Sequence, residues 1–226
     1  MNHNDLIQQL SSNLKPVKPQ KSFTWRLSVL LLVCLLIAIA GIYYWFLKKA
    51  EFHFIEGRSL LEGILLLVAF ITSAVWGTKS SSPISSIPQS SVKPIILLSL
   101  WVLILAMSFF IGFFENSAEA LIALKYNTWL CPMVILTIAI PSFVISLFYF
   151  FRGAILYPLQ AFFYGASLSV SLGALGLSFI CPWTDPLHEI LWHVLPVFMF
   201  IGLLTFPLYF IFTFVNARFG FRKKAV

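Results

Sequence analysis

Residues 129–182 read WLCPMVILTIAIPSFVISLFYFFRGAILYPLQAFFYGASLSVSLGALGLSFICP. Two continuously apolar runs, about 129–150 and 158–180, flank a tight connection that holds Arg152-Gly153. Each run is close to the roughly 20 residues a helix needs to cross a hydrocarbon core. Neither alternates as a barrel strand would. The stretch predicts a membrane-spanning helical hairpin bracketed by two Cys-Pro pairs, Cys131-Pro132 and Cys181-Pro182. Proline suits a first helical turn, where its missing N–H would be unpaired anyway, so Cys131 is placed at a helix N-terminus. Pro141 is expected to kink the first run. The second run carries Ala161, Gly165, Ser169 and Gly173 at every fourth position, with Gly176 nearby. Such a stripe lets another helix backbone come close. A substrate path lined by Ser167, Ser169 and Ser171 is the other reading, and no charged residue supports it.

The same pattern extends in both directions. Six apolar runs lie at roughly 26–47, 60–77, 94–114, 129–150, 158–180 and 189–214. Composition agrees: 60% of residues are hydrophobic and 10% charged, where a soluble domain carries about 25% charged. The expected fold class is all-α: a polytopic membrane protein of six transmembrane helices (26–217), a cytoplasmic arm (1–25) and a basic tail (218–226). The first run passes Ala38-Ile39-Ala40, which resembles a signal-peptidase site. It continues through Gly41 to Leu47, so a full span is expected rather than a cleaved leader. Cys34, inside that span, reads as a small apolar filler. Ser80 to Ser91, with Pro83 and Pro88, reads as a linker.

Basic residues orient the chain. With the N-terminus inside, eleven Lys and Arg residues fall on cytoplasmic segments, namely Lys15, Lys18, Lys21, Arg26, Lys79, Lys93, Arg152, Arg218, Arg222, Lys223 and Lys224. Only Lys48, Lys49, Arg58 and Lys125 fall outside. The positive-inside rule then gives N-in, C-in topology. The net charge of +7 is accounted for by topology. No patch mixes basic and aromatic residues as a nucleic-acid surface would, so no direct nucleic-acid partner is expected.

Ahead of the first span, Leu6, Ile7, Leu10 and Leu14 fall at helical spacing, and Pro16 and Pro19 stop the helix. A helix this short is marginal alone in water. It is either a surface arm or a helix that folds into a groove on a cytoplasmic partner, with the leucines as anchors.

At the opposite side, topology brings Cys131 and Cys181 to one membrane surface. Antiparallel neighbours joined by a tight turn pack roughly 10 Å apart, whereas a disulfide needs α-carbons about 4.4–6.8 Å apart. A structural disulfide, a responsive thiol pair and a thiolate pair that captures a soft metal all remain open. Of the two, Cys131 is expected to be more acidic, because the positive end of a helix stabilises thiolate. Asp185 and Pro186 suit the start of the last helix. His188 and His193 are five residues apart, about 140° around an α-helix. They therefore miss the i, i+4 spacing of a zinc-protease motif. Glu189 and His193 do share a face. His193 is expected either to ligate beside the thiols or to hydrogen-bond Glu189, with His188 as a further accessory group.

Together, Asp5-Leu6-Ile7-x-x-Leu10-x-x-x-Leu14-Lys15-Pro16-Val17, the six spans, the two outer cysteines and Trp192-His193 resemble the NrsF family, negative regulators of sigma factor F. That resemblance covers nearly the whole chain. It implies a multi-pass anti-sigma factor of the bacterial inner membrane, not an enzyme. Its partner would be an extracytoplasmic-function sigma factor, and its setting the lipid bilayer. By the same resemblance, Asp5, Leu6, Ile7, Leu10, Leu14, Pro16 and Val17 sequester the sigma factor. Cys131 and Cys181 sense oxidative stress or heavy metal, with no resident cofactor beyond transient metal at the thiols. Two other classes stay open. A membrane thiol oxidoreductase would want a Cys-x-x-Cys or a quinone site, and a small transporter would want ionisable residues mid-membrane; neither pattern is visible.

Overall fold

The structure, a computed structural model, describes residues 21–47, 57–81, 92–114, 129–152, 157–181, 188 and 190–219. Residues 1–20 of the N-terminal arm, 82–91 of the Ser-rich linker and Glu189 lie outside the described residues, while α1 begins at Phe23, inside the stretch read as arm. Six α-helices are described: α1 (Phe23–Leu47), α2 (Gly57–Ser80), α3 (Val92–Phe114), α4 (Leu130–Phe151), α5 (Pro158–Ser178) and α6 (Leu195–Phe219). A π-helical turn, Ile190–Val194, leads into α6. No strand is present among the described residues. Five helical segments are long and apolar enough to cross a membrane: Phe23–Leu47, Leu61–Ser80, Leu130–Phe151, Pro158–Ser178 and Ile190–Val215. In α3 the described apolar stretch, Lys93–Leu103, is shorter than a membrane span. Most helix ends fall within three residues of the sequence expectation, and α6 runs further, to Phe219.

α5 is the axis of the bundle. It is apolar or small on every face, and such a helix is stable only when surrounded. Most of its residues from Ala161 to Leu177 are buried, and α4, α2, α6 and α1 all pack on it. Its small-residue stripe does what the spacing predicted. A Cβ on Gly173 would lie 2.7 Å from the Ile135 carbonyl oxygen of α4. Two of the serines read as a possible path bond within the helix instead. Ser169 donates to the Gly165 carbonyl at 2.7 Å and Ser171 to the Ser167 carbonyl at 2.6 Å.

α1 is the peripheral counterpart. Arg26, Leu30, Cys34 and Ala38 recur every fourth residue and are its buried face. Leu32, Leu35, Leu36, Ile39 and Tyr43 point outward and are about half exposed or more, as lipid-facing residues would be. Cys34 is fully buried in the inner stripe, as a small filler. At this end of the bundle Arg26 donates to Ser81 Oγ at 2.7 Å, tying the start of α1 to the end of α2. Lys21, Lys79 and Arg152 gather at the same end, each over an aromatic ring (Trp25, Phe23 and Phe148).

A cysteine–histidine cluster as candidate functional site

The opposite end of the bundle is built from the start of α4, the end of α5 and the turn before α6. Cys131 is the second residue of α4 and is buried, with Pro132 in the first turn as expected. Cys181 follows the last turn of α5, and its amide donates to the Leu177 carbonyl at 2.9 Å. That bond holds the residue in helical register past the helix end and turns its side chain toward α4. The two sulfurs are 3.7 Å apart and neither is in a disulfide. They are in contact but not bonded, since a disulfide S–S bond is about 2.05 Å.

His188 is 2% exposed and places Nε2 3.5 Å from Cys131 Sγ and 3.4 Å from Cys181 Sγ. His193 completes the group: its ring stacks edge-on against His188 with centroids 5.2 Å apart. One ligand atom from each of Cys131, Cys181, His188 and His193 lies within 4.8 Å of all the others. The Nε2 of His193 is buried with no hydrogen-bond partner among the described residues.

α-Helical periodicity put the two histidines on different faces, and the structure corrects that expectation. The residues between them enter a π-turn, in which positions five apart fall on one face. A sequence cause is at hand. Pro196 has no N–H to offer the carbonyl of Trp192, and its ring crowds that carbonyl. The backbone widens over Ile190–Val194, just before the proline. Trp192 is carried to the rim of the site, where its ring meets Trp129 edge-on at 5.6 Å and pins the turn to α4. Asp185, Pro186 and Glu189 lie outside the described residues, as do Asp5, Leu6, Ile7, Leu10, Leu14, Pro16 and Val17.

The electrostatics also differ from the sequence expectation. A hydrogen bond from the Cys131 thiol, opposed by burial and helped by His188 and His193, holds the Cys181 thiol well below its ordinary value. Thiolate is favoured where donors converge, and here they converge on Cys181. The helix N-terminus that singled out Cys131 is the weaker influence.

The donor set fits a soft metal ion. A tetrahedral zinc centre, with Zn–S about 2.3 Å and Zn–N about 2.05 Å, has S···S and S···N edges of about 3.8 and 3.5 Å. The spacings of 3.7, 3.5 and 3.4 Å already match those edges. Without a metal, the same two sulfurs are placed for two-electron oxidation to a disulfide.

The class so defined is a bundle all-helical over the described residues, fit by length and composition to cross a membrane several times, with a partly buried Cys2His2 cluster at one end. Residues 10–209 match the NrsF family, described as negative regulator of sigma F, and the chain belongs to that family. The match takes in Leu10, Leu14, Pro16, Val17 and all four cluster residues, while Asp5, Leu6 and Ile7 precede it. No curated protein matches the chain, and no solved structure does.

Proposed function

We propose that this chain is a membrane anti-sigma factor that holds an extracytoplasmic-function sigma factor through residues 5–17 and releases it when the Cys131–Cys181 cluster reacts. The observation that carries the reading is the clustering of two cysteines, not joined in a disulfide, with two histidines in a chain of the NrsF family. Lys21, Arg26, Lys79 and Arg152 mark the other end of the bundle. By the positive-inside rule that end, with the arm, faces the cytoplasm, and the cluster faces the outer side of the inner membrane. Six spans give that topology, with α3 as the sixth.

Two reactions suit the cluster. A soft divalent ion would be held by two thiolates and two imidazoles, releasing the thiol protons that remain. A hydroperoxide would be attacked by the Cys181 thiolate, which gains oxygen as a sulfenic acid while the O–O bond breaks. Cys131 would then displace that oxygen as water and form the disulfide, so two thiols and one hydrogen peroxide give one disulfide and two waters. Shifting a two-state equilibrium from 1:99 to 99:1 takes about 5.5 kcal/mol of differential stability. Closing a metal centre or a disulfide supplies free energy of that order.

The test is a reporter driven by the cognate sigma factor, in cells carrying wild-type, Cys131→Ser or Cys181→Ser chains. Repression by all three, with induction by hydroperoxide or cadmium only in the wild type, is expected. Equal induction in the serine variants would remove the cluster from the signal path.

A further inference from the structure

The cluster and the start of α1, which the arm precedes in sequence, sit at opposite ends of the bundle, so a signal must cross from α4 to α1. α4 carries the means. Cys131, Ile135 and Ile138 follow one another at four- and three-residue steps, which puts them on one buried face. Ile138 is fully buried and is gripped from two sides. A Cβ on Gly41 of α1 would lie 2.5 Å from Ile138 Cγ1, and a Cβ on Gly176 of α5 would lie 2.5 Å from Ile138 Cδ1. Both glycines therefore leave notches filled by one side chain. One position earlier, Thr137 accepts a hydrogen bond from Trp45 Nε1 of α1 at 2.9 Å. This bond ties the far end of α1 to α4 and resists sliding of one helix along the other.

We infer that Ile138 is the joint that couples the cluster to the arm: two turns below Cys131, it locks α1 to the α4–α5 pair through Gly41 and Gly176. The inference rests on the anti-sigma reading. A reaction that draws Cys131 and Cys181 together re-seats the top of α4 against α5. Packed helices shift between discrete arrangements rather than deform smoothly, so the knob moves as a unit. α1 follows through the Gly41 notch and the Trp45–Thr137 bond. Because α1 runs as one helix from Phe23 to Leu47, displacement at Gly41 reaches the end from which the arm extends.

The test uses the full-length chain in cells with the sigma-dependent reporter, and thiol trapping of Cys131 and Cys181 in the same samples. After hydroperoxide, the Ile138→Ala chain should oxidise its thiols like the wild type while the reporter stays at the uninduced level. Induction equal to wild type, with equal thiol oxidation, overturns the joint. If Ile138→Ala does not accumulate in the membrane, Trp45→Phe decides: reduced induction at normal oxidation supports the joint, and full induction overturns it. A wild-type chain that never represses the reporter would instead sink the anti-sigma reading. The two failures are thus distinguishable.

Discussion

The two ends of this bundle are made of different chemistry. One end is soft: two cysteine sulfurs and two imidazoles clustered together, with Cys131 and His188 buried. The other is cationic and hard: Arg26 bonded to Ser81, with Lys21, Lys79 and Arg152 resting on aromatic rings. Soft donors respond to electrophiles and soft metals, whereas hard cations fix orientation. A chain with both, joined by close helix packing, has one end suited to receive a chemical event and another suited to stay put beside the arm.

The largest effect should come from removing the soft end. Cys181→Ser takes away the sulfur on which the hydrogen bonds converge, and loss of inducible reporter activity is expected. His188→Ala and His193→Ala should weaken cadmium binding to the purified chain by more than the 10- to 100-fold typical of groups merely adjacent to a metal site. Unchanged affinity in both would reduce the site to its thiols.

The pH dependence sharpens the same contrast. The folded pKa of Cys181 is depressed, so its contribution to stability is full above the unfolded value, near 8.5, and is lost as pH falls toward the folded one. The depressed value favours Cys181 thiolate between about pH 6 and 8. Its alkylation rate there should be nearly flat, where an ordinary thiol would gain about 100-fold. A tenfold rise per pH unit would mean that Cys131 or a histidine no longer donates to it.

Next in size is the helix packing between the ends. At Gly173 an added Cβ meets backbone, the Ile135 carbonyl, which cannot rotate away. Gly173→Leu should cost about 1–3 kcal/mol, read as a lower unfolding temperature in detergent. Gly202, in α6, has nothing within 4 Å of its Cβ position. Gly202→Ala should be neutral or stabilising by up to about 1 kcal/mol. Equal effects at both positions would show that α4 and α5 are not in close contact. The smallest change is at the hard end: Ser81→Ala removes the acceptor at 2.7 Å from Arg26. A loss of about 1.5 kcal/mol is expected, with no change in thiol reactivity.

Much of this was legible in the sequence because apolar length and Cys-Pro punctuation are local signals. The runs gave the helices nearly to their ends, and the tight connection at Arg152 put Cys131 and Cys181 together. Both histidines were legible as candidates beside the thiols, but their sharing one face was not, because α-periodicity was the wrong ruler for a π-turn. Pro196, four residues after Trp192, was the available hint. The greater acidity of Cys181 was hidden because it depends on His188 and His193 converging in space. The glycine stripe on α5 was visible as a stripe, but its partners were not. Nothing local links Gly41 or Trp45 to α4, so Ile138 and Thr137 could only be found once the helices were packed. The arm rests on sequence pattern and family resemblance.

The most direct measurement is co-purification of the sigma factor with the tagged full-length chain from membranes, before and after hydroperoxide treatment. The sigma factor should accompany the wild-type chain before treatment and be lost after it. It should be absent throughout from a chain with Leu6, Leu10 and Leu14 changed to Ala, and retained throughout by Cys181→Ser. A sigma factor that stays with the oxidised wild-type chain, or that never accompanies the reduced one, would contradict sequestration by the arm and release at the cluster.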